Sequence, residues 1–262
     1  MRCEVGRHTE RVVAALFASA WASCGCPTTV LPDGCVDVVW VDGALVVAGP
    51  ATTAVSVPAS VEERPFGVRL RIGAAEAVLG APADVLRDVD VPLTELHGSK
   101  VGAHAQARVA RATRSDTRAG LRTLVEQLAD LAVAEQPDLL VREAARRLAV
   151  PHSRLPQVAR DLDVSERQLR RRFARSVGYG PRVLGRVQRL QRVLRCHERA
   201  PSVTLAELAG AAGYADQAHM SREVRHLSGM TPRQLLASGA HPAGERAGSF
   251  KTCGRGEHRL LL

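Results

Sequence analysis

Two groups of mostly polar side chains with the chemistry to read DNA bases lie in the C-terminal half of the chain, 51 positions apart. On a helix with about 100° per residue, each group falls on one face. The residues of this face are Arg167, Arg170 and Arg171 in the first group, and Gln217, Ala218, Ser221 and Arg222 in the second. Arginine bonds bidentately to guanine and glutamine to adenine, so we expect this face to contact base edges in a major groove. Phosphates are expected to lie within reach of Arg172, Arg175 and Arg225, and such contacts add affinity without sequence choice.

The opposite face of each predicted helix is suited to a protein core. Its residues are Leu169, Phe173 and Ser176 in the first helix, and Met220, Val224 and Leu227 in the second. A short apolar helix and a tight turn precede each of them, and Ser165 with Gln168 fits a capping box at the start of the first. The pattern predicts two helix-turn-helix units in tandem, with recognition helices over residues 165–176 and 216–227.

A longer helix is predicted to join the two units, from Pro181 to about Glu198, because proline is favoured at the first position of a helix. One side of it is apolar, and the remainder carries Arg182, Arg186, Arg189 and Arg192. A rigid helix between the two units would hold the recognition helices at a constant separation. Successive major-groove segments on one side of B-DNA lie about 34 Å apart, so one chain could read two adjacent turns.

The positive charge is concentrated where these units lie. Residues 1–137 hold 13 basic and 16 acidic side chains, whereas residues 138–240 hold 19 arginines against 9 acidic side chains. A basic segment joined to a mildly acidic one indicates a polyanionic partner for the basic segment alone. A compositional bias toward arginine would raise its content along the whole chain, whereas arginine is concentrated here. For one helix taken alone, a solvated arginine-rich face is an equally good explanation.

The N-terminal part has the pattern of a small β-rich domain. Turn chemistry at Asp42-Gly43 predicts a hairpin between a strand starting at Val36 and another over Ala44–Ala48. Further strands are predicted over Thr52–Val57 and Gly67–Ile72, and short helices over Ala74–Leu79 and Pro82–Leu86. The fold class expected is α+β and multidomain: a β-rich regulatory domain (1–97), a helical connector (98–137), an all-α domain with two helix-turn-helix units (138–239) and a disordered tail (240–262).

The segment 98–137 is expected to be helical, and its most clearly marked helix is amphipathic and runs from about Asp116 to Glu135. Its apolar stripe, Leu121, Leu124, Val125, Leu128 and Leu131, favours packing inside the chain over a dimer seam. No run of about 18 apolar residues is present, so we predict no membrane span and no membrane partner. Without a signal-peptide pattern, a cytoplasmic location is expected.

Residues from about 139 to 237 resemble the DNA-binding domain of the AraC/XylS family of bacterial transcription regulators. The most specific stretch runs from Gly213 to Val224 (GYADQAHMSREV) and continues with Gly229-Met230-Thr231-Pro232. Val224 stands where phenylalanine is usual, and should still fill a core position. Asp163 stands where glycine is common in the first turn, so that turn is expected to be strained. The segments LPDGCVDVVW (31–40), VAGP (47–50) and GVRL (67–70) resemble an uncharacterised β-rich domain that precedes this DNA-binding domain.

The resemblance implies a transcription activator or repressor whose partner is double-stranded DNA. It places the seven base-facing residues named above at base-facing positions of the family. It also implies contact with RNA polymerase, a small-molecule effector or homodimer formation through the N-terminal domain, and no cofactor. No catalytic residues are predicted.

Cysteines open two alternatives. Cys24, Cys26 and Cys35 could hold a soft metal ion or sense oxidation, since thiolates bind zinc and copper(I); ordinary reduced thiols explain them better. Some relatives with this DNA-binding domain repair alkylated DNA through a methyl-accepting cysteine, which needs an activated thiolate. Cys196 and His197 are adjacent in sequence, but they fall in the long helix predicted between the two helix-turn-helix units. His219 and His226 are better explained as scattered polar contacts than as metal ligands.

Overall fold

A computed structural model describes residues 10–23, 28–58, 64–134, 136–151 and 153–238. The described residues up to 134 are called the N-terminal region below, and those from 136 onward the C-terminal region. The predicted disordered tail, residues 240–262, lies outside the described residues. Among the helices that are described, none has the length and apolar character needed to cross a membrane.

A five-stranded antiparallel sheet organises the N-terminal region, in the order β1-β6-β3-β4-β7. Its strands are β1 (Phe17–Ala22), β3 (Asp37–Val41), β4 (Ala44–Ala48), β6 (Phe66–Leu70) and β7 (Asp90–Pro92). Asp42 and Gly43 both have positive φ, 48° and 77°, in the turn between β3 and β4. This is the backbone that a two-residue hairpin requires, and the predicted hairpin is confirmed.

A second, two-stranded sheet pairs β2 (Thr28–Val30) with β5 (Val55–Val57). The strand predicted over 52–57 is therefore shorter than expected. Strands β1 and β7 were not predicted. The alanine-rich sequence FASAWA of β1 has little of the β-branched content that marks a strand, so only pairing with β6 reveals it.

Six helical segments surround the five-stranded sheet. They are α1 (including residues 10–16), α2 (Ala75–Leu79), a 3₁₀ turn (Ala83–Leu86), α3 (Leu93–Leu96), α4 (Ser99–Thr113) and α5 (Thr117–Leu131). Side chains of all of them share one core with the sheet, including Val12, Val78, Leu86, Leu93, Val109 and Leu124. The helices expected to form a connector thus pack on the sheet, and the apolar stripe of α5 is used inside the chain, as predicted.

The C-terminal region is entirely helical among its described residues. The helices are α6 (Leu139–Leu148), α7 (Leu155–Asp161), α8 (Glu166–Val177), α9 (Pro181–Arg199), α10 (Leu205–Ala212), α11 (Gln217–Ser228) and α12 (Pro232–Ala237). Helices α7 and α8 form the first helix-turn-helix unit, and α10 and α11 form the second. The predicted spans of α8, α9 and α11 agree with the structure to within about two residues.

Two separate cores hold these units. The first contains Leu169 and Phe173 of α8 and the second contains Met220 and Val224 of α11. Helix α9 contributes to both, with Leu184 and Val187 in the first core and Leu190, Val193 and Leu194 in the second. Burial of its apolar side in two places ties both units to one rod.

Candidate DNA-binding surface

Helix α8 begins at a complete capping box. The Ser165 amide donates to Gln168 Oε1 at 2.9 Å, and the Gln168 amide donates to Ser165 Oγ at 3.2 Å. The predicted core residues are buried: Leu169 and Phe173 are fully inaccessible, and Ser176 is 5% exposed. With the start and the buried side of the helix both determined, the direction of its outer face is determined as well.

The predicted base-facing residues of α8 lie on that outer face. Arg167, Arg170 and Arg171 are all exposed. Arg170 donates from Nη2 to Glu166 Oε2 at 2.9 Å, one turn earlier on the same helix. An exposed ion pair of this kind contributes less than about 1 kcal/mol, so it leaves the guanidinium able to exchange partners.

Helix α11 repeats the arrangement with a different cap. Asp216 Oδ1 accepts a hydrogen bond from the His219 amide at 2.6 Å, and the core side is buried as predicted. Of the predicted base-facing residues, the exposed ones are Gln217, Ala218 and Arg222. Ser221 is half-buried, and its hydroxyl donates to the Gln217 carbonyl at 2.8 Å. That bond occupies the proton of Ser221 and leaves its oxygen as an acceptor.

Two of the three residues predicted to contact phosphate have carboxylate partners. Arg172 Nε donates to Asp138 Oδ2 at 2.9 Å, and Asp138 also caps α6 by accepting from the Val141 amide. Arg175 Nε donates to Glu76 Oε2 at 2.8 Å, and Glu76 belongs to α2 of the N-terminal region. Arg225 is exposed on α11. A phosphate would have to compete with a carboxylate at the first two positions.

The two departures from the family pattern have the expected outcomes. Asp163 has a φ of 53° in the turn between α7 and α8, a left-handed conformation that suits glycine better than aspartate. Val224 is fully buried in the second core. Each departure is accommodated locally, by strain in one case and by a smaller core side chain in the other.

The arginines of α9 have a role that the sequence did not reveal. Arg186 Nε and Arg189 Nη2 donate to the carboxylate of Glu223 on α11, at 3.2 and 2.8 Å. The Arg189 guanidinium also stands over the ring of Tyr214, 5.3 Å from its centroid. These contacts fasten α9 to the second unit. The positions of Arg189 and Glu223, 34 residues apart, carry no pattern that would have paired them.

Loops of the N-terminal region reach both units. Leu31 packs into the second core, and the Pro32 carbonyl accepts from Gln191 Nε2 of α9 at 2.8 Å. The Ala54 amide donates to the Leu227 carbonyl at the end of α11, at 2.7 Å. Near the end of α8, Pro50 lies so close to Gly178 that a Cβ added to this glycine would be 2.4 Å from Pro50 Cγ. The region predicted to be regulatory therefore lies directly against both recognition helices.

Cys35 lies in a partly buried polar cluster beside these contacts between the two regions. Arg69 Nη1 contacts Asp33 Oδ2 at 2.7 Å, and Arg69 Nη2 contacts Asp37 Oδ2 at 2.7 Å. Burial opposes the charge of Arg69, but the two carboxylates outweigh it and raise its pKa. Burial, and then the charge of Asp33, raise the pKa of the Cys35 thiol well above its usual value. A neutral, half-buried thiol is a poor nucleophile and a poor metal ligand.

The remaining cysteine predictions have mixed outcomes. Cys24 and Cys26 lie outside the described residues, and the described part of the chain contains no cluster of three metal-ligating side chains. Cys196 lies on α9 and packs against the second core. His219 Nε2 is 3.6 Å from Glu223 Oε1, a polar contact of the kind expected for it.

The fold and this surface define a helix-turn-helix protein with a β-rich region in front. Residues 158–238 match the family described as "Helix-turn-helix domain", and residues 8–92 match the family described as "Domain of unknown function (DUF6597)". The matches confirm the resemblance drawn from the motifs: the chain carries an AraC-type helix-turn-helix domain behind that N-terminal domain. It is a DNA-binding transcription regulator. No curated protein sequence matches the chain.

Solved structures of ToxT from Vibrio cholerae are similar over most of their length. The structure from strain O395 has 9% sequence identity and a TM-score of 0.44, covering 84% of this chain and 96% of that one. A structure of ToxT from strain SCE256 bound to an unsaturated fatty acid has 9% identity and a TM-score of 0.38, covering 85% and 93%. At these scores the likeness supports no conclusion about the ligand of this chain.

Proposed function

We propose that the chain binds specific operators by placing α8 and α11 in two adjacent segments of the major groove. The observation that carries this proposal is the matched pair of helix faces. In both helices the residues 51 positions apart that form the core side are buried, while arginine and glutamine side chains cover the outer side. A helix fits the major groove, and these are the side chains that distinguish guanine and adenine there.

Base contacts and phosphate contacts are proposed for different residues of this surface, according to their side-chain chemistry. Arg171 and Arg222 occupy equivalent positions of the two helices, so each is proposed to read a guanine. Arg172, Arg175 and Arg225 are proposed to contact phosphates, which makes affinity fall as salt rises because condensed counterions are released on binding. Ala218 presents a methyl group, which suits apolar contact with thymine.

Substitution of the two equivalent arginines tests this proposal. Arg171→Ala and Arg222→Ala should each weaken binding to the preferred operator by about 1–3 kcal/mol, because each removes a bidentate base contact. The operator would be selected from random duplexes with the purified full chain, and affinity measured by fluorescence anisotropy. Preference for the base at the contacted position should relax as well.

Arg118→Ala is a matched control, because Arg118 is exposed on α5 and its loss changes the net charge equally. It should leave operator affinity within about twofold, since a distant surface charge is screened at physiological salt. Unchanged affinity in both Arg171→Ala and Arg222→Ala would contradict the assigned faces.

We propose further that the N-terminal region controls DNA binding through its contacts with the two units. The ion pair between Glu76 and Arg175 supports this, as does the packing of Leu31 into the second core. Any change in the N-terminal region that moves these contacts would alter the position of a recognition helix or the availability of a phosphate-binding side chain. An effector bound by this region, contact with RNA polymerase and homodimerisation are further parts of the proposal, drawn from the family resemblance.

A further inference from the structure

Besides their common attachment to α9, the two halves of the C-terminal region also contact each other directly. The loop that follows α6 lies against the turn that follows α10: a Cβ on Gly213 would be 3.6 Å from Pro151 Cβ. Helix α6 packs in the first core and α10 in the second. This place, formed by residues 149–151 and 212–213, is called the junction below.

Arg192 extends from α9 into the junction and bonds to both sides. Its Nη1 donates to the Ala212 carbonyl at 2.6 Å, and its Nη2 donates to the Ala149 carbonyl. Ala212 is the last residue of α10, and Ala149 is the C-cap of α6. Carbonyls at a helix C-terminus lack intrahelical donors and carry the negative end of the helix dipole, so a guanidinium satisfies both helix ends.

The placement of Arg192 has an electrostatic cost. Burial, and then the nearby charge of Arg195, lower the pKa of Arg192. The two carbonyl oxygens offset this cost only while both helix ends remain in reach of one planar guanidinium, whose donors have a fixed geometry. The side chain therefore favours one distance and one angle between the units.

Gly213 leaves the room that this arrangement needs. It has a φ of 84° as the C-cap of α10, and a Cβ there would lie 3.1 Å from Arg192 Nη1. A side chain at this position would press on the guanidinium and would touch Pro151 at ordinary contact distance. Two residues, one on α9 and one at the end of α10, thus keep the junction closed.

We propose that Arg192 is a positioning residue that sets the separation of the two DNA subsites that one chain recognises. This inference rests on the proposed function, in which α8 and α11 bind adjacent major-groove segments. One added base pair moves a subsite by about 3.4 Å along the duplex and rotates it by about 35° around the axis. A pair of helices held by α9 and the closed junction cannot follow both movements, whereas a pair held by α9 alone can adjust by bending and local rotation.

The test measures how the affinity of the full-length chain depends on the length of the spacer between the two subsites, which is called the spacing profile below. Two subsites selected from random duplexes would be joined with the selected spacer, and with spacers one base pair shorter or longer. The wild-type chain should prefer one spacing by about tenfold over its neighbours. Arg192→Met keeps the aliphatic stem but removes all donors, and should reduce this preference to about threefold or less.

Arg195→Met is the matched control, because Arg195 lies one turn further along α9 and, among the described residues, has no hydrogen bond to either unit. The spacing preference of Arg195→Met should be at least as sharp as that of the wild type, because its loss also removes a repulsive charge near Arg192. Arg192→Lys retains the charge but lacks the fork of donors, and should give a preference between those of the wild type and Arg192→Met. Gly213→Ala should broaden the profile by displacing the guanidinium while Arg192 itself is retained, which provides a second route if Arg192→Met does not fold.

The outcomes separate the two proposals. A sharp wild-type profile with equally sharp profiles for Arg192→Met and Gly213→Ala, both folded by circular dichroism, would overturn the role of Arg192 and leave the proposed function intact. A wild-type chain that binds single subsites as tightly as paired ones would overturn the two-helix function, and the role of Arg192 with it. Broadening confined to the junction variants supports both.

Discussion

The arginines of the C-terminal region differ in what their guanidinium groups contact. Arg171 and Arg222 are exposed on the recognition helices. Arg186 and Arg189 are about one quarter exposed, at 28% and 27%, and are held by Glu223. Arg192 bonds to two backbone carbonyls. The arginines of this region thus include some that are held in contacts within the protein and some that are proposed to bind DNA, and only the neighbours of each arginine distinguish the two groups.

The Cys35 thiol gives a prediction at the same scale. Because burial and Asp33 raise its pKa, the thiolate fraction between about pH 8 and 9 should be far smaller in the folded chain than in the unfolded one. Alkylation by iodoacetamide, followed residue by residue with mass spectrometry, should be at least about tenfold slower in the folded chain than in urea.

The direction of the pH effect follows from the same shift. A folded pKa above the unfolded value means that folding favours the protonated thiol, so this contribution to stability is present below the unfolded pKa and is lost as pH rises through the folded pKa. Equal alkylation rates in folded and unfolded chains would show that Cys35 is accessible. The thiol-responsive alternative would then regain support.

Helix boundaries are determined by short local interactions. Ser165 and Thr204 each form a capping box, at the starts of α8 and α10. Both boxes can be read from sequence, because the two partners are only three residues apart and meet in any helix that starts there. The turn at Asp163 is equally local.

Loss of the first capping box should be measurable. Ser165→Ala removes the acceptor for the Gln168 amide and should lower the free energy of unfolding by about 1 kcal/mol. Chemical denaturation monitored by circular dichroism would measure it. Ser202→Ala, at an exposed turn residue, should change stability by less than about 0.5 kcal/mol; a cost as large as that of Ser165→Ala would argue against the cap.

Strands were harder to predict than helices at this scale. The hairpin of β3 and β4 has β-branched residues and an Asp-Gly turn, both local signals. Strand β1 pairs with β6 across about 50 residues, as in Ala20 with Val68, and β7 pairs with β4 through Val91 and Val47. Both strands form by pairing with a neighbour, β1 with β6 and β7 with β4, whose backbone groups would otherwise be unpaired at the edge of the sheet. The sequence near β1 or β7 does not show that these neighbours are available.

At the scale of the whole molecule, the N-terminal region contacts a side chain proposed to bind DNA. Glu76→Gln removes the carboxylate that holds Arg175. Operator affinity should rise by at most about fivefold, because an exposed ion pair of this kind is weak. Fluorescence anisotropy at several salt concentrations would measure the change.

The same substitution made in a chain that lacks Arg175 separates the effect of this ion pair from a general effect of charge. In the Arg175→Ala chain, Glu76→Gln should have no effect on affinity, because the two residues act through each other. An equal rise in both backgrounds would mean that Glu76 repels DNA from a distance, and that the ion pair has no role in regulation.

Removal of the N-terminal region tests how far the C-terminal region is independent. A fragment of residues 138–262 contains α6 to α12 and should bind DNA measurably, with lower thermal stability than the full chain, because Leu31 no longer covers the second core. Circular dichroism and gel-shift assays would report folding and binding. A folded fragment that shifts no DNA would contradict the assignment of both reading units to this region.

The sequence alone determined the two recognition helices, their buried and exposed faces, the connector helix and the hairpin of β3 and β4. These features depend on periodicity and on contacts within a few residues. The tertiary structure alone decided the partners of Arg175, Arg189 and Arg192, the pairing of Arg69 with Asp33 and Asp37 around Cys35, and the packing of Leu31 against the second unit. Each of these joins residues tens of positions apart, and the packing of whole elements, which no local pattern encodes, brings them together.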